Sequence, residues 1–342
     1  MSIKNKARIV ASLTVGGFIA LIFLAVGCKG EYGVIEEERV TFAPAQTVAL
    51  DATPADIEPT QTGVTPVPVE NISAALDGKE GGALIATVDT TRKVTYKEAE
   101  AAFRERNYAE ATELFTRYTQ RKPENAWGYY MLGLSAKRAG DLEKSVQALQ
   151  KAASIDPQHL KSWVNLGRTH MALNQPNESL AAVEKALVID PSARDAYRIK
   201  GRAHHQLGEL PEAELAYKQA LALNDRDAWS MNNLAFVMIG QRKFDDALPL
   251  LARAIEINDQ VAVFHNNLGM VLENKGYFRA SEKAYESAVA LDEGYTRAVT
   301  NKARVAGITE ANSAGDPDFA ALAQRAASAI KSWESISAQG GQ

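Results

Sequence analysis

Apolar positions occur at helical spacing through most of the chain between residues 92 and 295, and the pattern also returns in a longer register. Pro123, Pro157 and Pro191 are 34 residues apart, and the same position in the following units is acidic. The acidic positions are Asp225, Asp259 and Glu293. A repeat of this length with helical content predicts a helical repeat array.

Six such units follow one another without insertion, and each predicts an antiparallel pair of helices. They cover residues 92–125, 126–159, 160–193, 194–227, 228–261 and 262–295. Turn signals such as Gly140 with Asp141, Gly208 with Glu209 and Gly276 with Tyr277 lie inside the units. No unit can bury its faces alone, so we expect stability to come from the stacking of neighbouring units.

Small residues recur where the predicted helices approach each other. The first helices carry Gly133, Gly167, Gly201 and Gly269 at one position, and the second helices carry Ala152, Ala186, Ala220, Ala254 and Ala288. Large residues such as Leu132, Leu166, Leu234 and Leu268 are expected to fill the space between the helices.

The third unit shows the pattern most fully, with Trp163, Leu166, Gly167, Ala186 and Pro191. This set resembles the tetratricopeptide-repeat (TPR) family. The unit departs from the family where His170, Ser179 and Val183 replace the usual Tyr, Ala and Phe. The resemblance implies an all-α fold, a right-handed solenoid of six helix pairs, and a non-enzymatic role in binding other proteins.

The period breaks after residue 295. Residues 296–306 continue the first-helix register, but Lys302 stands where Leu is usual. Asp316 and Pro317 then predict the start of a new helix. Its apolar stripe consists of Phe319, Leu322, Ala326, Ile330 and Trp333. We expect residues 296–335 to form a pair of C-terminal capping helices whose stripe covers the last repeat. The alternative is a helix that binds a partner or a second copy.

The N-terminus has the three parts of a secretory signal. Lys4, Lys6 and Arg8 precede an apolar run over residues 9–26, and Gly27 and the only cysteine, Cys28, close it. The end of the run, LAVGC, resembles the cleavage box of bacterial lipoproteins. That resemblance implies a signal peptide over residues 1–27, a lipid on Cys28, and, from Lys29, a location at the outer membrane facing the periplasm.

Other interpretations of this segment remain open. The apolar run is just long enough for an uncleaved transmembrane anchor, which would place the repeat array in the periplasm on the inner membrane. Ordinary signal cleavage and secretion is a third outcome. In all three cases the rest of the chain faces an extracytoplasmic space.

Residues 28–91 differ in composition from the repeats. Prolines recur among Thr, Val, Ala and Gly, and acidic residues outnumber basic ones. No helical or alternating pattern persists over this stretch, which therefore predicts a disordered acidic, proline-rich tether.

Composition removes several classes of function. The 342 residues have a formal net charge of −4, which argues against a nucleic-acid binder. One cysteine excludes an internal disulfide framework and a cysteine-based zinc site. There is no phosphate loop, HExxH or Gly-x-Ser-x-Gly motif, and the five histidines have no ligand spacing. We expect no catalytic residue, no metal, no cofactor and no small-molecule substrate.

The family resemblance places function in a concave groove, lined by fixed positions of each first helix. The predicted peptide-binding residues are Trp127, Tyr130, Lys161, Arg168, Arg198, Arg202, Trp229, Asn232, Phe236, Asn266 and Met270. The middle of this surface is basic and its C-terminal part is aromatic and apolar. The Lys and Asn order of the family's carboxylate clamp is absent, so capture of a free peptide C-terminus is not expected.

The chain thus resembles TPR lipoproteins of bacterial outer membranes that act in pilus or secretion assembly. The expected function is a tethered, non-enzymatic adaptor that binds a peptide segment of a periplasmic partner protein. A scaffold for cell-wall enzymes is the alternative pathway. A purely structural spacer and an enzyme with an unrecognised site are the rival classes.

Overall fold

The computed structural model describes residues 92–308 and 315–339, which all belong to one compact unit spanning residues 66–342. The predicted signal peptide, the lipidation site Cys28 and the predicted tether up to residue 91 lie outside the described residues.

Every secondary-structure element in the described residues is a helix, as predicted. The helices are α1 (Tyr96–Arg104), α2 (Tyr108–Arg121), α3 (Ala126–Ala139), α4 (Leu142–Ile155), α5 (Leu160–Ala172), α6 (Pro176–Ile189), α7 (Arg194–Leu207), α8 (Leu210–Leu223), α9 (Ala228–Gly240), α10 (Phe244–Ile257), α11 (Ala262–Asn274), α12 (Phe278–Leu291), α13 (Thr296–Val305) and α14 (Phe319–Gln339). From α1 to α12 they form six consecutive pairs, and each pair packs on the next.

The row of first helices defines the inner side of the array. Each of the helices α1, α3, α5, α7, α9, α11 and α13 contacts the next one in this row. Within the described residues, consecutive second helices from α2 to α12 make no such contacts. Helices that meet along one side and separate along the other give a curved stack, so the first helices lie on the concave side.

The turn inside each repeat always contains one residue with left-handed backbone. In the second, fourth and sixth repeats this residue is Gly140, Gly208 or Gly276, with φ between 79° and 89°. In the other three repeats it is Arg106, Asn174 or Arg242, with φ between 59° and 64°. Glycine adopts this conformation without strain, which explains the predicted turn signals.

Each repeat is held together by a large side chain of the second helix that lies over a small residue of the first. A Cβ on Gly269 would come within 2.5 Å of Tyr285, and one on Gly133 within 2.6 Å of Leu149. The corresponding residues of all six second helices are at most 2% exposed. They are Phe115, Leu149, Val183, Tyr217, Leu251 and Tyr285. The small residues thus permit the helix approach that the sequence predicted.

The two C-terminal helices pack at different places on the array. Helix α13 packs on α11 and α12 and extends the row of first helices. Helix α14 instead packs on α8 and α10 and, within the described residues, does not contact α12 or α13. The expectation that its stripe covers the last repeat is therefore wrong.

The sequence of α10 explains where α14 packs. Its residues Leu248, Pro249 and Ala252 are buried, and Ala326 and Ile330 of α14 join the same hydrophobic cluster. The corresponding positions of the neighbouring second helices are mostly charged. They are Glu214, Leu215 and Lys218 in α8 and Glu282, Lys283 and Glu286 in α12. Only α10 thus offers a continuous apolar outer face among these three helices.

Candidate functional site

The concave side contains the predicted groove residues, but four of the eleven are buried. Tyr130 is 7% exposed, Arg202 9%, Asn232 0% and Asn266 2%. These four side chains present little surface in the structure, and their contact with a peptide stays a prediction. The more accessible residues are Trp127, Lys161, Arg168, Arg198, Trp229, Phe236 and Met270.

The two buried asparagines belong to a hydrogen-bonded ladder that runs across three first helices. Asn267 Nδ2 donates to Asn232 Oδ1 at 2.8 Å, and Asn301 Nδ2 donates to Asn266 Oδ1 at 3.0 Å. Within each asparagine pair the bonds are longer: Asn232 donates to Asn233 at 3.3 Å and Asn266 to Asn267 at 3.4 Å. The ladder satisfies buried amides, as polar groups inside a fold require.

A cluster of arginines around one carboxylate lies in the middle of the groove. Asp195 Oδ1 accepts hydrogen bonds from Arg194 Nη2 at 2.9 Å and from Nε at 3.2 Å. Its Oδ2 accepts from Arg168 Nη2 at 3.3 Å, and Arg198 Nη2 lies 3.8 Å from Oδ1. Burial opposes the ionised form of Asp195, but its bond to Arg194 and the charges of Arg198 and Arg168 hold its pKa below the usual value.

An open cavity of about 400 Å³ adjoins this cluster between α3, α5 and α7. Its polar lining comes from Lys161, Asn165, Arg168, Arg194 and Asp195. Its other lining residues are Tyr130, Leu160, Val164 and Ala193. The cavity thus combines surplus positive charge with an aromatic and aliphatic wall.

Aromatic rings form the N-terminal edge of this cavity. The ring centroids of Trp127 and Tyr130 are 5.1 Å apart, and both rings meet His159 edge-on at 5.5 and 5.0 Å. Lys161 Nζ lies 5.8 Å from the centroid of Trp127, within the range of a cation–π contact. Trp127 remains 43% exposed, so much of its indole is available to a ligand.

The C-terminal part of the groove is apolar and half-buried. Trp229 packs edge-on against Phe264 at 5.1 Å, and Phe236 packs in the same way against His205 at 5.4 Å. Asn266 Nδ2 lies 3.6 Å from the sulfur of Met270, a weak hydrogen-bond contact. These side chains are held in place by the array yet keep part of their surface accessible.

The histidines serve as packing and hydrogen-bonding groups. Burial lowers the pKa of His159 and of His205, which favours the neutral ring. His170 Nδ1 bonds Gln175 at 2.8 Å, and His204 Nδ1 bonds Glu209 at 2.6 Å. In the part of the chain that the structure describes, no three His, Cys, Asp or Glu side chains converge as a metal site would require.

Sequence reasoning missed Asp195 and Arg194 as members of the basic cluster. The same positional rule that selected Lys161 in the third repeat falls on Asp195 in the fourth. If the rule had been applied to acidic as well as basic residues, it would have selected Asp195 as a neighbour of the basic groove residues. Arg194 stands one position earlier, and only the structure shows that its side chain turns towards Asp195.

Comparisons with known proteins establish the family. Profiles described as tetratricopeptide repeat match residues 96–159, 164–228, 228–261 and 262–295, which is more than half of the chain. The chain belongs to the tetratricopeptide-repeat family, whose members act as scaffolds for protein–protein interactions. No curated protein matches it by sequence.

Solved structures add likeness of fold. PilW, a type IV pilus biogenesis factor, has a TM-score of 0.54 and 20% identity, covering 60% of this chain and 94% of PilW. The structure of the APC/C hetero-tetramer Cut9–Hcn1 matches with a TM-score of 0.55 and 15% identity. The match covers 61% of this chain and 41% of the matched chain. MamA is 25% identical with a TM-score of 0.43, covering 48% of this chain and 97% of MamA.

Among residues 92–308 and 315–339, no helix is both long enough and apolar enough to cross a membrane.

Proposed function

We propose that this TPR protein is a membrane-tethered, extracytoplasmic adaptor without enzymatic activity. Its concave side binds a peptide segment of a partner protein. The observation that carries the proposal is the curved row of first helices, on which accessible basic and aromatic side chains lie together. Aromatic and arginine side chains dominate many protein interfaces, so this surface is suited to protein recognition.

The tethering part of the proposal rests on the sequence. The basic start, the apolar run and Cys28 have the order of a bacterial lipoprotein signal. Labelled palmitate is expected to enter the wild-type protein but not Cys28→Ser, because several buried acyl chains provide the membrane attachment. Labelling of the Cys28→Ser variant would contradict lipidation at this residue. An unlabelled, uncleaved variant that stays on the membrane would favour a transmembrane anchor or a tethered precursor.

The proposed pathway is pilus or secretion-system assembly at the outer membrane, with a scaffold for cell-wall enzymes as the second candidate. The N-terminal signal together with the repeat array supports this choice. PilW has a similar fold and acts in type IV pilus biogenesis. At 20% identity this likeness concerns the fold alone.

In-cell photo-crosslinking tests the binding surface. A benzophenone amino acid replaces Trp127 on the concave side, and in a matched control it replaces the exposed Lys151 on α4. The proposal predicts a discrete protein adduct from position 127, none from position 151, and loss of the adduct when Arg168→Gln is added. Adducts from position 151 alone would place the working surface on the outer side.

A further inference from the structure

The arginine cluster of the groove holds more positive charge than its own carboxylate balances. Arg168, Arg194 and Arg198 all lie within 4 Å of Asp195. Arg194 is the best paired of them, since it bonds Asp195 twice and is also near Asp227. Arg168 and Arg198 make longer contacts with Asp195, at 3.3 and 3.8 Å. Their capacity to bind a further anion is therefore only partly used.

One more feature points to an absent acidic group. Lys161 lines the same cavity and contacts the Trp127 ring, while among the described residues no acidic side chain pairs with it.

Part of the cavity wall is apolar, since Tyr130, Leu160 and Val164 line it together with the polar residues. A ligand that fills this space must therefore present a negative group and a hydrophobic group close together. An acidic peptide segment with an apolar neighbour meets that requirement, whereas a free inorganic anion would leave the apolar wall uncovered.

We propose that this cavity is the anchor site for a Glu or Asp side chain of the partner segment. Arg168 receives the carboxylate beside Lys161, and an adjacent apolar side chain packs on Tyr130 and Val164. The assignment rests on the proposed function and adds the chemistry of the ligand. Arginine suits the role because its planar fork pairs with a carboxylate through two hydrogen bonds.

Asp195 acts in this account as a positioning residue. Its hydrogen bonds fix the guanidinium groups of Arg194 and Arg168, so their orientation is set before a ligand arrives. Its negative charge also lowers the potential of the cavity. Replacing it with the isosteric, neutral Asn is therefore expected to increase the attraction for an incoming carboxylate.

The test uses two fluorescent twelve-residue peptides that alternate Leu and Ser and differ only at one central position, Glu or Gln. Fluorescence anisotropy at low salt gives Kd for the full-length protein in detergent. The wild type is expected to bind the Glu peptide about tenfold more tightly than the Gln peptide, a difference typical of one close charge pair. Raising the salt should reduce the difference.

Matched variants assign the effect to the cavity. Arg168→Gln and Lys161→Gln should each abolish most of the Glu preference, whereas Arg226→Gln, in the exposed turn after α8, should preserve it. Asp195→Asn should lower the Kd for the Glu peptide about threefold and leave the Kd for the Gln peptide unchanged. A purely structural role of Asp195 would weaken both peptides alike.

Equal binding of the two peptides by the wild type would overturn the anchor site, as would failure of the Glu peptide to bind at all. Retention of the Glu preference in both folded variants, Arg168→Gln and Lys161→Gln, would also overturn it. None of these results depends on the crosslinking experiment above, which detects the binding of a partner protein to the concave side. A positive crosslink together with equal peptide binding would keep the adaptor function and remove the carboxylate anchor.

Discussion

At the scale of single residues, the asparagine ladder shows how polar groups are accommodated inside the stack. Asn267 donates to Asn232 of the preceding repeat and accepts from Asn266 within its own helix. Asn232 is fully buried, Asn266 is 2% exposed and Asn267 is 3% exposed. The ladder therefore links the fifth and sixth repeats by hydrogen bonds that water cannot easily replace.

We predict that Asn267→Ala lowers the free energy of unfolding by about 1–3 kcal/mol, because it leaves the Asn232 oxygen and an Asn266 proton without partners. Urea denaturation followed by circular dichroism measures the change. Asn301→Ala, at the half-buried end of the ladder, is the control and should cost less. Equal losses from the two variants would contradict a special role for the central amide.

The contact of Gly269 with Tyr285 gives a second prediction at this scale. A methyl group at Gly269 would overlap the tyrosine ring, which is fully buried, so Gly269→Ala should destabilise the protein by about 1–3 kcal/mol. Gly240→Ala is the matched control, because the nearest side-chain atom is 4.0 Å from its added Cβ. Thermal denaturation of both variants checks this. A Gly269→Ala variant as stable as the control would mean that the close approach is not required.

At the scale of helices, the position of α14 is the main feature that the stripe alone did not predict. The stripe over residues 319–333 correctly indicated a helix with one apolar face, but the expectation that this face covers the last repeat was wrong. The location follows from α10, whose outer positions Leu248, Pro249 and Ala252 differ from the mostly charged residues of α8 and α12. The ion pairs of Arg279 and Lys283 with Asp316 connect α12 to the start of this segment.

Ile330 is the central contact of α14, since it is fully buried in the cluster of α8 to α12. We predict that Ile330→Ala lowers the free energy of unfolding by about 2–5 kcal/mol through lost packing and a cavity. Lys331→Ala, one position along on the exposed side, should change it little. Denaturant unfolding reports the difference. Comparable stability of both variants would indicate that α14 is not docked on α10 in solution.

At the scale of the whole molecule, the sequence was sufficient for the repeat array and insufficient for the packing of α14 and for parts of the groove. The period predicts the positions of Leu166, Gly269 and the turn glycines, because the two helices of every repeat pack in the same way. Burial of Asn232 and Asn266 could not be read from position alone, since a groove position also faces the neighbouring repeat. The cluster at Asp195 depends on side-chain directions across two repeats, which the period does not determine.

The account assigns protein binding to the concave side, and hydroxyl-radical footprinting of the complex tests that claim most directly. The partner identified by crosslinking is purified and added, and oxidation is read at concave residues Trp127 and Met270 and at exposed second-helix residues Val188 and Leu215. The account predicts protection of Trp127 and Met270 with no change at Val188 and Leu215. Protection confined to Val188 and Leu215 would contradict it and move the working surface to the outer side of the array.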